Sequence, residues 1–190
     1  MSWKKQEKNW SNIVVTTSTA IFAIVSIITV FISVTSWQAQ REAARPYFTF
    51  KESPTVHLND DISFEFKFSN VGTHPASCLS SKTLVFDQNL LEKPTFEDDY
   101  TVINDIPRDT TTSLLLNIDH KDICQRANIN SQFVIIYLRY NDPIIRRSYT
   151  QTLYLKWAGV IAYKPQPFIH VESSERSGIQ NYLESNRLLD

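Results

Sequence analysis

Glycine is the scarcest informative residue in this chain, with three among 190. Gly72, Gly159 and Gly178 stand far apart, so no glycine-rich loop can cradle a phosphate and no dinucleotide-binding fingerprint can form. Metal-ligand spacing is missing too. His57, His74, His120 and His170 form no H-x-H or H-E-x-x-H pair, and the two cysteines, Cys78 and Cys124, form no C-x-x-C. Each histidine reads as a loop or surface residue. No G-x-S-x-G elbow occurs, and the acidic run Glu97-Asp98-Asp99 reads as a solvated loop. A basic surplus is also lacking. Five of the 19 cations and two of the 20 anions precede Pro46, which leaves residues 46–190 with 14 against 18. That balance argues against general, charge-driven nucleic-acid binding. The reading is of a protein that is not an enzyme, with no metal, no cofactor and no catalytic residues.

What the chain does have is one long uncharged run, Asn9 to Gln40, whose centre from Ile13 to Val34 is continuously apolar or hydroxylic. As a helix those central residues span about 33 Å, enough to cross a bilayer's hydrocarbon core. Trp10 and Trp37 bracket the run where an interfacial aromatic belt would sit, with Lys8 and Arg41 the first charges outside it. The run is too long for a signal peptide, and the charged segment Gln38–Arg45 behind it is not a cleavage site. Along the run, Thr16, Thr19, Ala23, Ser26, Thr29, Ser33 and Ser36 recur at steps of three and four, while Ile21, Ile24, Val25, Ile28, Phe31 and Ile32 hold the other side. Small hydroxylic stripes build helix–helix contacts in lipid, and three or more copies could line a narrow polar pore. The alternative is that each hydroxyl bonds back to its own helix. Charge barely sets orientation, since Lys4, Lys5 and Lys8 precede the span and Arg41 and Arg45 follow it. It leans by one residue to a cytoplasmic N-terminus and an exported domain. Cys78 and Cys124 could pair in an oxidising compartment, or each serve as a small buried hydrophobe.

The organisation expected is a polar lead-in (1–12), a transmembrane helix with its juxtamembrane extension (13–44), a β-sandwich (46–159) and a C-terminal extension with a short helix (160–190). Arg45-Pro46 ends the helix. Beyond it the apolar period becomes two: Ile62, Phe64, Phe66 and Phe68 alternate with Ser63, Glu65, Lys67 and Ser69. Further strands are expected near 47–51, 82–87, 100–104 and 111–118, with 88–100 a long connection and Lys121–Ala127 a helical turn. Phe133–Tyr140 and Tyr149–Trp157 should form a hairpin joined by 141–148. Seven or so short strands with little helix predict a mainly β fold, an immunoglobulin-like β-sandwich behind a single N-terminal transmembrane helix. From Ser173 a short helix carrying Ile179, Tyr182 and Leu183 should dock on the domain or on a neighbouring copy.

One surface constellation stands out. If Val134, Ile136, Leu138, Leu153, Leu155 and Trp157 face inward, then Tyr137, Arg139, Tyr154 and Lys156 share the outer face, with Arg146 and Arg147 in the loop at its end. Guanidinium forks and aromatic rings bind phosphates and stack on bases, so a nucleotide or short oligonucleotide would fit there. A solvated face of cross-strand tyrosine–cation pairs explains the same pattern.

Arg45-Pro46-Tyr47, Asn70-Val71-Gly72 with Pro75-Ala76, and Leu138-Arg139-Tyr140-Asn141-Asp142 resemble stretches of small bacterial membrane proteins with a transmembrane N-terminus and a β-sandwich. Some of these are similar to membrane effectors of anti-phage defence systems, in which a sensor domain controls an oligomeric channel. The resemblance implies a bacterial inner-membrane protein with a cytoplasmic β-domain that answers a nucleotide-derived signal or a partner protein. The chain departs from a two-span layout, so a pore would need several subunits. Three functions follow in order: a homo-oligomeric single-pass effector, a non-conducting anchor displaying an exported β-sandwich, and a membrane-tethered enzyme.

Overall fold

A computed structural model describes residues 3–58, 62–90, 93–102, 104–118 and 128–189, with side chains from Trp10 onward, Ser11 excepted. Two units make it up, Met1–Ala44 and Arg45–Asp190. The expected turn at Lys121–Ala127, with His120 and Cys124, lies outside the described residues.

The first unit is one helix, α1 (Trp3–Ala43), which runs through the polar lead-in as well as the apolar run. Its segment Asn12–Ala43 is long and apolar enough to cross a membrane, with a mean hydropathy of 2.3 at its apolar peak. Every described residue from Trp10 to Gln40 is exposed. A helix apolar on so much of its surface needs lipid or other helices around it.

The second unit is mainly β. Its strands are β1 (Phe48–Phe50), β2 (Thr55–Leu58), β3 (Ile62–Asn70), β4 (Ser77–Asp87), β5 (Phe96–Val102), β6 (Thr111–Ile118), β7 (Gln132–Asp142), β8 (Arg147–Trp157), β9 (Val160–Ile161), β10 (Lys164–Pro165) and β11 (Phe168–Ile169), followed by the helix α2 (Ser173–Asn186). In the first sheet β3 is central. On one side it pairs with β6 from Ile62↔Ile118 to Ser69↔Thr111, and it pairs with β2 along its first half and β1 along its second. Those two are one edge strand broken at 51–54, where Pro54 cannot donate to a ladder. The second sheet has the order β11-β8-β7-β4-β5, antiparallel throughout.

The inner faces of both sheets share one apolar cluster. Phe64, Phe66 and Phe68 of β3 and Leu114, Leu116 and Ile118 of β6 meet Val85, Val134, Ile136, Leu138 and Trp157 there. The strict alternation of β3, buried at every second residue, forces this arrangement because only one of its faces is apolar. A register shift between Ser77 and Ser80 in β4 marks a bulge, with Cys78 at φ 51.

Several expectations change in detail. The loop of the final hairpin shrinks from 141–148 to 143–146, because Asp142 Oδ1 accepts from the backbone N–H of Ile144 and Ile145 at 2.9 and 3.1 Å and turns the chain there. The long connection at 88–100 contains the start of β5, an edge strand whose charged residues hid it.

Candidate functional site

The register of β7 confirms which of its side chains face outward. Tyr137 lies beside Lys82 and Thr152, and Arg139 beside Ser80 and Thr150. On the same outer face the pairs Phe86↔Phe133, Leu84↔Ile135 and Ile135↔Tyr154 make an apolar floor. It is covered by α2, whose Ile179 and Leu183 are buried in a second cluster with Leu84, Phe86, Phe133 and Ile135.

This placement splits the expected ligand set. Tyr154 and Lys156 do not form an open face, because both are engaged by the helix. Lys156 Nζ is bonded to the Glu175 carboxylate, and the Arg176 guanidinium carbon lies 4.9 Å from the Tyr154 ring centroid. That bond, followed by the Glu172 backbone N–H, holds the Glu175 carboxyl below the usual glutamate range. Arg146 and Arg147 sit apart from Tyr137 as well. Asp142 pairs with Arg147, so three residues of strand, about 10 Å, separate that end from Arg139.

What remains open is a concavity of about 320 Å³ lined by Ser80, Lys82, Asp99, Tyr100, Tyr137 and Arg139, with Leu189 from the C-terminal tail at its margin. Arg139 is exposed and Tyr137 half-buried. Lys82 is 2.7 Å from Glu97, whose carboxylate raises the lysine above its usual range and keeps it a cation. Glu97 and Asp99 offset Lys82, which leaves Arg139, two phenols and a serine hydroxyl to meet an anion that carries an aromatic or sugar portion.

A second constellation lies where the β unit begins. Asn70, fully buried, uses its whole amide: Oδ1 accepts from Tyr47 N at 3.2 Å and Gly72 N at 3.1 Å, and Nδ2 donates to His74 O at 2.9 Å and Ile106 O at 3.2 Å. Gly72 is required there, because a Cβ on it would lie 2.1 Å from the carbonyl oxygen of Arg45. Tyr140 donates its hydroxyl to Pro46 O at 3.1 Å. Burial pushes that phenol up to about 12. Gln151 brackets Phe48, accepting from its N–H and donating to its carbonyl. His74 reaches the fully buried Asp142 at 2.7 Å, so it is a structural loop residue, not a surface one. The three sequence stretches singled out above thus meet in one place. Polar residues between strands gave no periodic signal, and only the turn residues Asn70, Gly72 and Pro75 hinted at it.

In α1 four of the stripe hydroxyls bond to their own helix. Thr16, Thr19, Thr29 and Ser33 each donate to the carbonyl four residues earlier, at 2.8 Å, and Gln40 Nε2 donates to Ser36 Oγ at 3.4 Å. Among the described residues no cluster of His, Cys, Asp or Glu could hold a metal ion. Cys78 is exposed and so not a buried small hydrophobe, and Cys124, with which it could pair, lies outside the described residues.

No curated protein matches the chain. Among solved structures it is similar to a protein described as ApaA from Bordetella pertussis, at 9% identity and a TM-score of 0.45, over 63% of this chain and 97% of that one. A family model described as a domain of unknown function, DUF8453, matches residues 13–160, and the chain belongs to that family.

Proposed function

We propose that this protein is a homo-oligomeric, single-pass effector of the bacterial inner membrane. Three or more copies of α1 associate through Thr16, Thr19, Ala23, Ser26, Thr29, Ser33 and Ser36 and form a channel. The β unit, read as an immunoglobulin-like β-sandwich on the cytoplasmic side, controls the assembly by binding an anionic ligand of nucleotide type or a partner protein. A place in anti-phage defence rests on the resemblance noted above. The observation that carries the reading is a helix apolar along Asn12–Ala43 that gathers its small and hydroxylic residues on one stripe, a face that lets helices approach closely in lipid. A hydroxyl that donates to its own helix removes the cost of an exposed donor in lipid, keeps its bulk small and leaves oxygen lone pairs outward. A ring of such oxygens offers acceptors only, which suits cations.

The test is conductance and cross-linking of the full chain in planar bilayers. Ser26→Leu with Ser33→Leu should abolish both, and currents should be carried by cations. Unchanged cross-linking and currents would refute the assembly face. Arg139→Ala should reduce nucleotide binding at the concavity, and unchanged binding would remove that site. The same inward bonding favours a second reading, a non-conducting anchor displaying an exported β-sandwich, since the hydroxyls then need no partner helix.

A further inference from the structure

Among the described residues the two larger sheets of the β unit have four edges, and three of them are protected by their own sequence. The edge formed by β1 and β2 is broken at 51–54, where Pro54 stands. β11 is two residues long and follows Pro167. β5 carries Glu97, Asp98 and Asp99 in succession, a run of like charge that repels a second acidic strand. β6 has none of these devices. Thr111–Ile118 holds no charge and no proline, and its eight residues pair with β3 in an unbroken register. Among the described residues β3 is its only strand partner, so the other side of β6 presents a row of unpaired main-chain groups.

The same strand carries an apolar residue that the first sheet leaves uncovered. Leu115 is 56% exposed. It lies between Ser113 and Asn117 on an outer face whose other described strand residues are serine, threonine, histidine, asparagine, glutamate or lysine. A leucine exposed in the middle of a long, uncharged edge is a pattern that pairing with another strand takes out of water.

We propose that β6 pairs antiparallel with β6 of a second copy held in the same bilayer, joining the first sheet of each copy into one. The strand is its own complement. A two-fold axis through Leu115, perpendicular to the sheet, sets Leu115 against Leu115, Leu114 against Leu116 and Ser113 against Asn117, so apolar meets apolar and hydroxyl meets amide. No charges oppose one another across that ladder, whereas two copies of β5 would set carboxylate against carboxylate. An eight-residue edge falls short of the roughly 800 Å² per partner of a stable interface, and confinement to one membrane supplies the effective concentration it needs. That step rests on the anchor reading of α1.

The experiment uses the full chain in phosphatidylcholine vesicles at high lipid excess, in a Cys78→Ser, Cys124→Ser background, under mild oxidation. Leu115→Cys should give a disulfide-linked dimer, because opposed strand residues lie within the Cα separation that a disulfide spans. Ser113→Cys and Asn117→Cys should cross-link to each other in a mixture and neither to itself, since four residues of strand, about 13 Å, separate like positions in the two copies. Leu115→Glu in both of those chains, beside Glu65 on β3, should abolish the mixed dimer, and Leu115→Lys in one with Leu115→Glu in the other should restore it. In protein that resists alkaline extraction, no dimer from Leu115→Cys, or self-linking of Ser113→Cys as strong as the mixed product, overturns the pairing alone. Protein that alkali extracts overturns the anchor reading and the pairing together. Capture of a different protein at Leu115→Cys in native membranes, in place of a second copy, gives the edge to a foreign strand and overturns the self-pairing.

Discussion

Asn70→Ala would leave the backbone N–H groups of Tyr47 and Gly72 and the carbonyl of His74 without the partner they have in the native structure, while Ile106 O keeps its bond from Ala76 N. Buried groups left unpaired cost about 1–3 kcal/mol each before relaxation, so a loss of at least 3 kcal/mol is expected in a urea titration of the β unit. Asn70→Asp should lose less, because the carboxylate still accepts from Tyr47 and Gly72. The opposite sign is expected in β4. The hydroxyls of Ser81 and Thr83 are buried without a hydrogen-bond partner, so Thr83→Val should stabilise by about 1 kcal/mol, seen as a higher thermal midpoint. The sequence shows both residues only as polar steps in a strand. Whether a polar side chain is fully bonded or orphaned depends on contacts tens of residues away, such as Ile106 for Asn70, and no local pattern carries that information.

The strands that sequence alternation located best, β3 and β8, have one apolar face and several consecutive turns of the pleat, and β7 showed as a longer apolar run. Inward and outward sides of β8 were legible for the same reason. Missing was β2, four residues behind Pro54, too short to show a period. The seat of α2 was half legible: Ile179 and Leu183 announce an apolar stripe, but nothing local says that the floor is Leu84, Phe86, Phe133 and Ile135. Seen from the strand, those four look like the apolar half of a residue run buried on both faces, which is what β7 is. The match to the family ends at residue 160, so the helix that occupies this face lies beyond the matched region. Acid should loosen it. The Glu175 carboxyl is held low in the folded state, so its contribution is present above the ordinary glutamate range and is lost as pH falls through the lower folded value. Amide hydrogen exchange in α2 should therefore accelerate at low pH before the central strands β3 and β7 do. Glu175→Gln should show that faster exchange already at neutral pH.

At the scale of the whole molecule, membrane sidedness decides between the two functional readings. Cys78, exposed in the bulge of β4, reports it directly. With Cys124→Ser, an impermeant thiol reagent should label Cys78 only after the inner membrane is opened if the β unit is cytoplasmic. Labelling in cells whose outer envelope alone is permeable would favour the exported module. Charge left orientation nearly undetermined in the sequence because the flanks of α1 differ by one cation, and no fold of either unit changes that count. The apolar length of the helix and the β character of the remainder were legible because both are written as periods over many residues.

The buried amide of Asn70 and the phenol of Tyr140 also fix where the chain can be divided. A fragment starting at Arg45 keeps Pro46 O for Tyr140 and both main-chain groups of Tyr47 for Asn70 and Val71. A fragment starting at Phe48, the first residue of a strand and the natural-looking boundary, deletes all three. At about 1–3 kcal/mol for each partner left behind, that cut removes much of the 5–15 kcal/mol by which a domain is ordinarily stable. Expression trials and protease nicks should discriminate sharply between the two boundaries, although only three residues separate them.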